Sequence, residues 1–328
     1  MRAKALSTRG PLLAALMCLA ATGAARALDF PTRTIRLVVP FAAAGVTDIV
    51  ARIVFDKVAQ ALGQQVIIDN RPGAGGTIAV DAVAHSPPDG YTLVMADPSG
   101  SLPANLTLYP KLNFHPLRDL APVASLGTTG AVLLVANELP AKTIHEFVAL
   151  AKAKPGELTF SSSGSGGAPH LAGEMFKNLT GTELLHVPYR GSGPAVIDLI
   201  AGRITMMFDA TPSLLPNITA GKLRPIAAAS PQRHRLLPDV PSFAELGYPG
   251  MDIALWYGVV VPGGTPAPIV QRLNAELAKI VDMPDVRRNL SEQGADLQGG
   301  SAEDFGAFMR NESARWSVVV KQAGIKPE

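Results

Sequence analysis

Two segments of this chain run from a strand-like stretch through a loop of very small residues and straight into an amphipathic helix. The first is Val38-Val39-Pro40-Phe41-Ala42-Ala43-Ala44-Gly45-Val46-Thr47-Asp48. The second is Thr159-Phe160-Ser161-Ser162-Ser163-Gly164-Ser165-Gly166-Gly167-Ala168-Pro169-His170. A strand that delivers such a loop to a helix start leaves the first helical N–H groups without backbone partners, at the positive end of the helix dipole. Places of this kind hold anions. Two of them in one chain suggest a clamp with a jaw on each of two lobes.

The hydrophobic pattern around each loop repeats one order of elements. Ile35 to Val39 is a β-branched run, and Ile49, Val50, Ile53, Val54 and Val58 follow at helical spacing. Gln65 to Asp69 and Thr92 to Ala96 are further strands, with a short helix over Thr77 to Ala84 between them. The order βαβαβ predicts parallel pairing. A second unit has a helix from Glu146 to about Lys152 and then strand Leu158 to Ser161, helix Leu171 to Leu179, strand Leu184 to Val187, helix Ala195 to Ala201 and strand Ile204 to Phe208. Between the units, Val123 to Val135 reads as a lobe-to-lobe crossing strand broken by Gly127-Thr128-Thr129-Gly130. A second crossing is expected near Met251 to Val261, after which helices Pro268 to Val281 and Ala302 to Gly324 return to the first lobe. The fold class expected is α/β, a two-lobe venus-flytrap layout with two crossing segments and a cleft between the lobes. Lobe 1 is assigned to 28–125 plus 252–328 and lobe 2 to 126–251. Ligands of doubly wound sheets sit beyond the carboxyl ends of the strands, where both small-residue loops fall.

Composition sets the compartment and removes several functions. Met1 to Ala27 has Arg2, Lys4 and Arg9, then an apolar stretch, then Ala25-Arg26-Ala27, the order of an export signal cleaved near Ala27. The single cysteine, Cys18, lies inside that leader, so the mature chain folds without disulfides. Removing Arg2, Lys4, Arg9 and Arg26 leaves 25 basic residues against 27 acidic ones, turning the net charge from +2 to −2. A basic surface for nucleic acid is not expected. The six histidines are scattered without metal-ligand spacing, and neither a G-x-S-x-G elbow nor a P-loop or G-x-G-x-x-G is present. Ser163 or Ser165 beside His170 lacks a visible orienting group. The chain reads as a binder rather than an enzyme, without cofactor or metal.

Candidate ligand contacts come from the loops and from one strand end. The run Ala42 to Gly45 strips away side chains that would shield the amides from an anion. Asp48, in the first helical turn, fits loop bracing and ligand contact equally, as does His170 at the second helix start. Asp209 follows a strand, so it fits two roles: capping the next helix, or receiving a donor such as an amine or hydroxyl. Trp256 and Tyr257 fit core, hinge or cleft wall, with hinge and wall together favoured. Asn70-Arg71-Pro72-Gly73-Ala74-Gly75-Gly76 is read as a turn shaping the next helix, with Arg71 in solvent.

Further residues form an ordered set along the mature chain. They are Phe30-Pro31, Val39-Pro40-Phe41 with Gly45 and Asp48, Asp69 to Gly76, Pro88-Asp89-Gly90-Tyr91-Thr92-Leu93, and Ser163-Gly164 through His170-Leu171-Ala172-Gly173-Glu174. After them come Val187-Pro188-Tyr189-Arg190-Gly191 with Pro194-Ala195, Gly221-Lys222-Leu223-Arg224, Gly247-Tyr248-Pro249-Gly250, Trp256-Tyr257-Gly258, Pro262-Gly263-Gly264-Thr265-Pro266 and Gly324-Ile325-Lys326. In this set the sequence resembles the extracytoplasmic solute receptors of tripartite tricarboxylate transporters, the Bug family. The resemblance implies an exported periplasmic protein, a monomer, that closes on a small carboxylic acid ligand and passes it to membrane permease subunits. It maps ligand contacts to Phe41, Ala42, Ala44, Gly45 and Asp48, and to Ser163, Gly164, Ser165, Gly166, Gly167 and His170, with Asp209 at a variable cleft position. The first loop departs from the family's usual Pro-Gly-Gly or Ala-Gly-Gly by carrying Ala43-Ala44-Gly45. The competing class is a secreted sensor that presents its ligand to a signalling receptor.

Overall fold

The computed structural model describes residues 29–98 and 111–322. The expected leader Met1 to Ala27, with Cys18, and the closing Gly324-Ile325-Lys326 lie outside these residues. Among the described residues no helix is long and apolar enough to cross a membrane.

Strand β1 (Ile35–Val39) pairs in parallel with β2 (Val66–Asn70) on one side and β3 (Thr92–Ala96) on the other. Strand β5 (Thr159–Ser162) does the same with β6 (Leu185–Pro188) and β7 (Met206–Ala210). Each lobe therefore carries the strand that feeds its small-residue loop at the centre of three parallel strands. Helix α1 (Val46–Leu62) leaves β1 and buries Val46, Val50, Val54 and Val58, one residue per turn, before Gly63 ends it in the left-handed conformation at φ +65°. Helices α2 (Thr77–Ala84), α3 (Ile144–Ala153), α4 (Ala168–Thr180) and α5 (Ser192–Ile200) complete the two units.

Strand β4 (Leu120–Ala136) joins the lobes. Its first part pairs antiparallel with β9 (Ala254–Pro262), which in turn pairs with β3. Its last residues pair with β7 and with β8 (Leu223–Ala229). The expected break at Gly127 to Gly130 is absent: β4 runs through, absorbing the irregularity as register shifts at Pro122/Ala124 and Ser125/Gly127. Gly127 has φ +137°, and a Cβ there would strike the Asp296 carbonyl oxygen of the short strand β10 (Ala295–Asp296). Only glycine fits that approach. The chain crosses a second time at Met251 to Ala254, where Ile253 N–H donates to Ala229 O at 2.9 Å.

Helix α6 (Thr211–Thr219) and strand β8 were not expected from the sequence. Pro212 and Pro216 disguise the helix and an alanine-rich run disguises the strand, and packing against β4 overrides both local preferences. Helix α7 (Ala267–Val281) packs on α1 as expected, as does α8 (Pro284–Ser291), where Lys57 and Asp285 pair at 2.8 Å. Helix α9 (Ala302–Gln322) does not simply return to the first lobe. It lies over β4, touches α4 of the second lobe, and packs Phe305 and Phe308 edge-on against Trp256 at ring separations of 5.7 and 5.5 Å. Along β4, Leu133 and Val135 enter the main core while Val132, Leu134 and Ala136 enter a second cluster with Leu199, Met207 and Leu214. The end of the strand is covered on both faces, which explains the unbroken apolar run Ala131 to Ala136.

Because the Gly127 site has neither the dihedral nor the room for a side chain, Gly127→Ala is expected to destabilise the protein by roughly 2–3 kcal/mol. Urea unfolding of the two proteins measures this; equal midpoints would contradict the packing described.

Candidate functional site

Both small-residue loops end in helices whose starts are bare. Gly45 is the N-cap of α1 at φ −78°, ψ 164°, and Gly167 is the N-cap of α4 at φ −71°, ψ 160°; neither has a side-chain cap. Helix α5 likewise starts uncapped at Gly191. By contrast, α3 begins with a reciprocal capping box between Thr143 and Glu146.

The first loop is held from behind. Asp48 is buried and receives Ala44 N–H at 3.0 Å and Arg52 Nε at 2.9 Å on Oδ2, and Arg52 Nη2 at 2.9 Å and Asn70 Nδ2 at 3.0 Å on Oδ1. Asn70 Nδ2 also reaches Phe41 O at 3.0 Å. Burial alone raises the Asp48 pKa, but the bonds from Arg52, Ala44 and Asn70 outweigh it and hold the carboxyl below its usual range. Both oxygens are thereby committed to the loop. Ala44 itself sits at φ +67°, a conformation that costs an L-residue ~1–2 kcal/mol.

The second loop has a similar brace of different chemistry. His170 Nδ1 accepts Gly166 N–H at 3.0 Å, and its ring stacks on His186 at 3.9 Å. Ser162 Oγ lies 2.7 Å from His186 Nε2 and accepts Gly164 N–H at 3.2 Å. Burial, reinforced by the positive charge of nearby Lys177, drives the His186 pKa down to about 3, so His186 is neutral at physiological pH.

The lobes meet at the rim of the cleft. Ala42 N–H donates to Arg190 O at 3.2 Å, and a Cβ on Gly164 would lie 3.0 Å from Gly75 Cα across the gap. Behind these contacts is a cavity lined by Phe41, Gly45, Val46, Thr47, Asp97, Pro98, Ser163, Pro169, Ser192, Asp209, Leu255 and Tyr257.

A carboxylate entering this cavity meets uncapped helix starts and no cationic side chain among the described lining residues. Over residues 50–325 the chain matches the family described as the tripartite tricarboxylate transporter family receptor. The chain belongs to that family. It is 36% identical to Protein BugT of Bordetella pertussis, covering 90% of this chain and 91% of BugT. An R. palustris protein solved with adipate is 38% identical, with a TM-score of 0.88 over 92% of this chain and 100% of that one. MatC from Rhodopseudomonas palustris, solved with bound malate, is 35% identical, with a TM-score of 0.85 over 89% and 100%. Members of this receptor family are solute-binding proteins rather than enzymes, and the two-lobe α/β fold is theirs.

Within this receptor, the residues singled out from sequence separate into three groups. Phe41, Gly45, Ser163 and Asp209 line the cavity. Ala42 and Ala44 border one rim groove, and Gly164 and Ser165 border another. Asp48, His170, Gly166 and Gly167 build the loops from behind or start the helix. Among the described residues no cluster of His, Cys, Asp or Glu is placed to hold a metal ion.

Sequence reasoning missed Asp97, Ser192 and, as braces, Asn70, Ser162 and His186. Asp97 directly follows β3, so the strand-end rule that located Asp209 applies to it equally. Trp256 faces α9, while the next residue, Tyr257, faces the cavity, as strand alternation requires. Asp209 is 3% exposed, and its Oδ1 accepts Ala210 N–H at 2.7 Å. Ser192 lies close enough to favour its charged form, yet Oδ2 has no partner in bonding geometry. Burial dominates and raises its pKa from 3.8 to about 6.

Two outcomes follow from these groups. Ala44→Gly relieves the left-handed alanine at some cost in unfolded-chain entropy, so a net gain of about 0.5–1 kcal/mol is expected from denaturant unfolding; a loss would show that the loop is not strained. Because the folded pKa of Asp209 is raised, its contribution favours folding most below pH 3.8 and is lost as pH rises through about 6. Asp209→Asn is therefore expected to raise the Tm of the empty protein, by an amount that grows between pH 4 and pH 7. A constant difference across that range would mean the carboxyl is hydrated.

Proposed function

We propose that this chain captures a small carboxylated solute in the periplasm, after removal of its leader, and delivers it to the membrane subunits of a tripartite tricarboxylate transporter. The observation that carries this reading is one cavity lined from two sides by the uncapped start of α1, Gly45 to Thr47, and by Ser163 of the second loop with Ser192 at the uncapped start of α5. The backbone N–H groups around Gly45 and Ser163, with bridging water, would hold the carboxylate. Relatives solved with adipate and with malate support a carboxylate as the common ligand group.

Closure then swings residues 126–251 against the remainder about the two crossings. A ligand touching both lobes favours the closed state because the open one lacks half of its contacts. The rim bond from Ala42 N–H to Arg190 O would mark that state. A permease that docks on both rims can then distinguish loaded from empty receptor.

Gly45 tests the site. A Cβ there meets only Ala42 O, at an ordinary 3.6 Å, so a larger side chain can be built without backbone damage and extends over the amides. Gly45→Leu is expected to weaken binding of whichever carboxylate the wild-type protein takes from a calorimetric panel by about a hundredfold or more, or ~2.7 kcal/mol. Unchanged affinity would place the ligand elsewhere.

A further inference from the structure

The cavity has an acidic end that the carboxylate does not use. Asp97 enters it from the end of β3, Asp209 from β7 and Tyr257 from the crossing strand β9. Asp209 and Tyr257 are each 3% exposed, and Asp209 Oδ2 and Tyr257 Oη are both buried without a hydrogen-bond partner. The capping role open to Asp209 uses only Oδ1, through Ala210 N–H. A carboxylate oxygen and a phenol buried this way in a lined space are costly unless water or a ligand completes them.

The charge balance of the same space narrows that ligand. Two carboxylates line the cavity, and none of the described lining residues is Lys, Arg or His. The segment 99–110, which follows Asp97 and Pro98, contains no charged residue in its sequence either. The two acids also act on one another's surroundings: burial first, and then the charges of Asp209 and Asp97, hold the Tyr257 phenol well above its usual pKa. A second ligand carboxylate placed here would meet the like charge of the Asp209 carboxylate, whereas a group that only donates hydrogen bonds would complete Asp209 Oδ2 and Tyr257 Oη.

Building on the carboxylate reading above, we infer that the solute is zwitterionic, of the amino-acid class, with a primary ammonium group received by Asp209 Oδ2 and Tyr257 Oη and neutralised by the Asp209 carboxylate. An ammonium carries three donors and no acceptor, which matches the oxygens available. A hydroxyl carries one donor and leaves the negative charge uncompensated. The helix starts thus select the negative end of the solute and the acids select its positive end, and a plain dicarboxylate is rejected.

Calorimetry with matched probes that differ only by the amine tests this: L-alanine against propionate, 4-aminobutyrate against butyrate, L-glutamate against glutarate, L-phenylalanine against 3-phenylpropionate. In every pair that binds, the amine-bearing member is expected to bind about tenfold or more tightly, as a charge-assisted bond in a buried site implies. Asp209→Asn should bring that ratio toward one. Glutarate or another amine-free acid binding as tightly as its partner overturns this inference and leaves the carboxylate reading standing. An amine preference unchanged in Asp209→Asn overturns the assignment to Asp209. No binding by any acid, with or without an amine, removes the carboxylate reading and this inference together.

Discussion

The cleft depends on leaving the helix starts that follow the small-residue loops without side-chain caps while holding the loops themselves rigid. An unfilled helix N-terminus carries roughly half a positive charge, and each unpaired N–H that loses water without gaining a partner costs ~1–3 kcal/mol. A side-chain cap would remove that cost and also the site. Both loops are therefore fixed from the side away from the cavity, by Asp48 with Asn70 in one lobe and by the Ser162, His186 and His170 set in the other. The first brace is ionic and the second neutral, yet both point hydrogen bonds at the loop backbone and none at the ligand space. Helix α3, which lacks a small-residue loop of this kind, takes the full capping box.

The two crossings convert these jaws into one device. Strand β4 belongs to both lobes, pairing with β9 in its first part and with β7 and β8 in its last, so the lobes share a sheet path rather than a flexible linker. Gly127 lets β10 approach that path closely, and α9 lies across it, with Trp256 wedged against Phe305 and Phe308. Bending is thus confined to two adjacent strands backed by a helix. Rim contacts such as Ala42 N–H to Arg190 O are weak singly, which suits an equilibrium that a ligand must tip.

Stability is given up where the ligand acts. Ala44 holds a left-handed conformation, and Asp209 and Tyr257 keep unpaired oxygens in a buried space. Such features persist only where the surroundings over-determine them, and they concentrate at sites whose missing partner comes from outside. The large core spanning both lobes offsets them.

Much of this was legible in the sequence because it rests on local patterns. The β-branched run Ile35 to Val39, the one-per-turn valines of α1 and the glycine-rich loop before Pro169 each dictate local geometry. Their repetition implies two parallel units with loops at the strand ends. The hidden helix α6 and strand β8 were not legible, since their prolines and alanines oppose the structure that long-range pairing with β4 imposes. The same holds for the site. Sequence located the bare loops and Asp209, because strand ends of doubly wound sheets point at the cleft. Tertiary structure alone decided that Asp48 and His170 face inward as braces, that His186 reaches Ser162 from a neighbouring strand, and that Asp97, Asp209 and Tyr257 converge from three strands on one cavity. Spacing along a chain fixes which face of an element a residue occupies, but only packing fixes which faces meet.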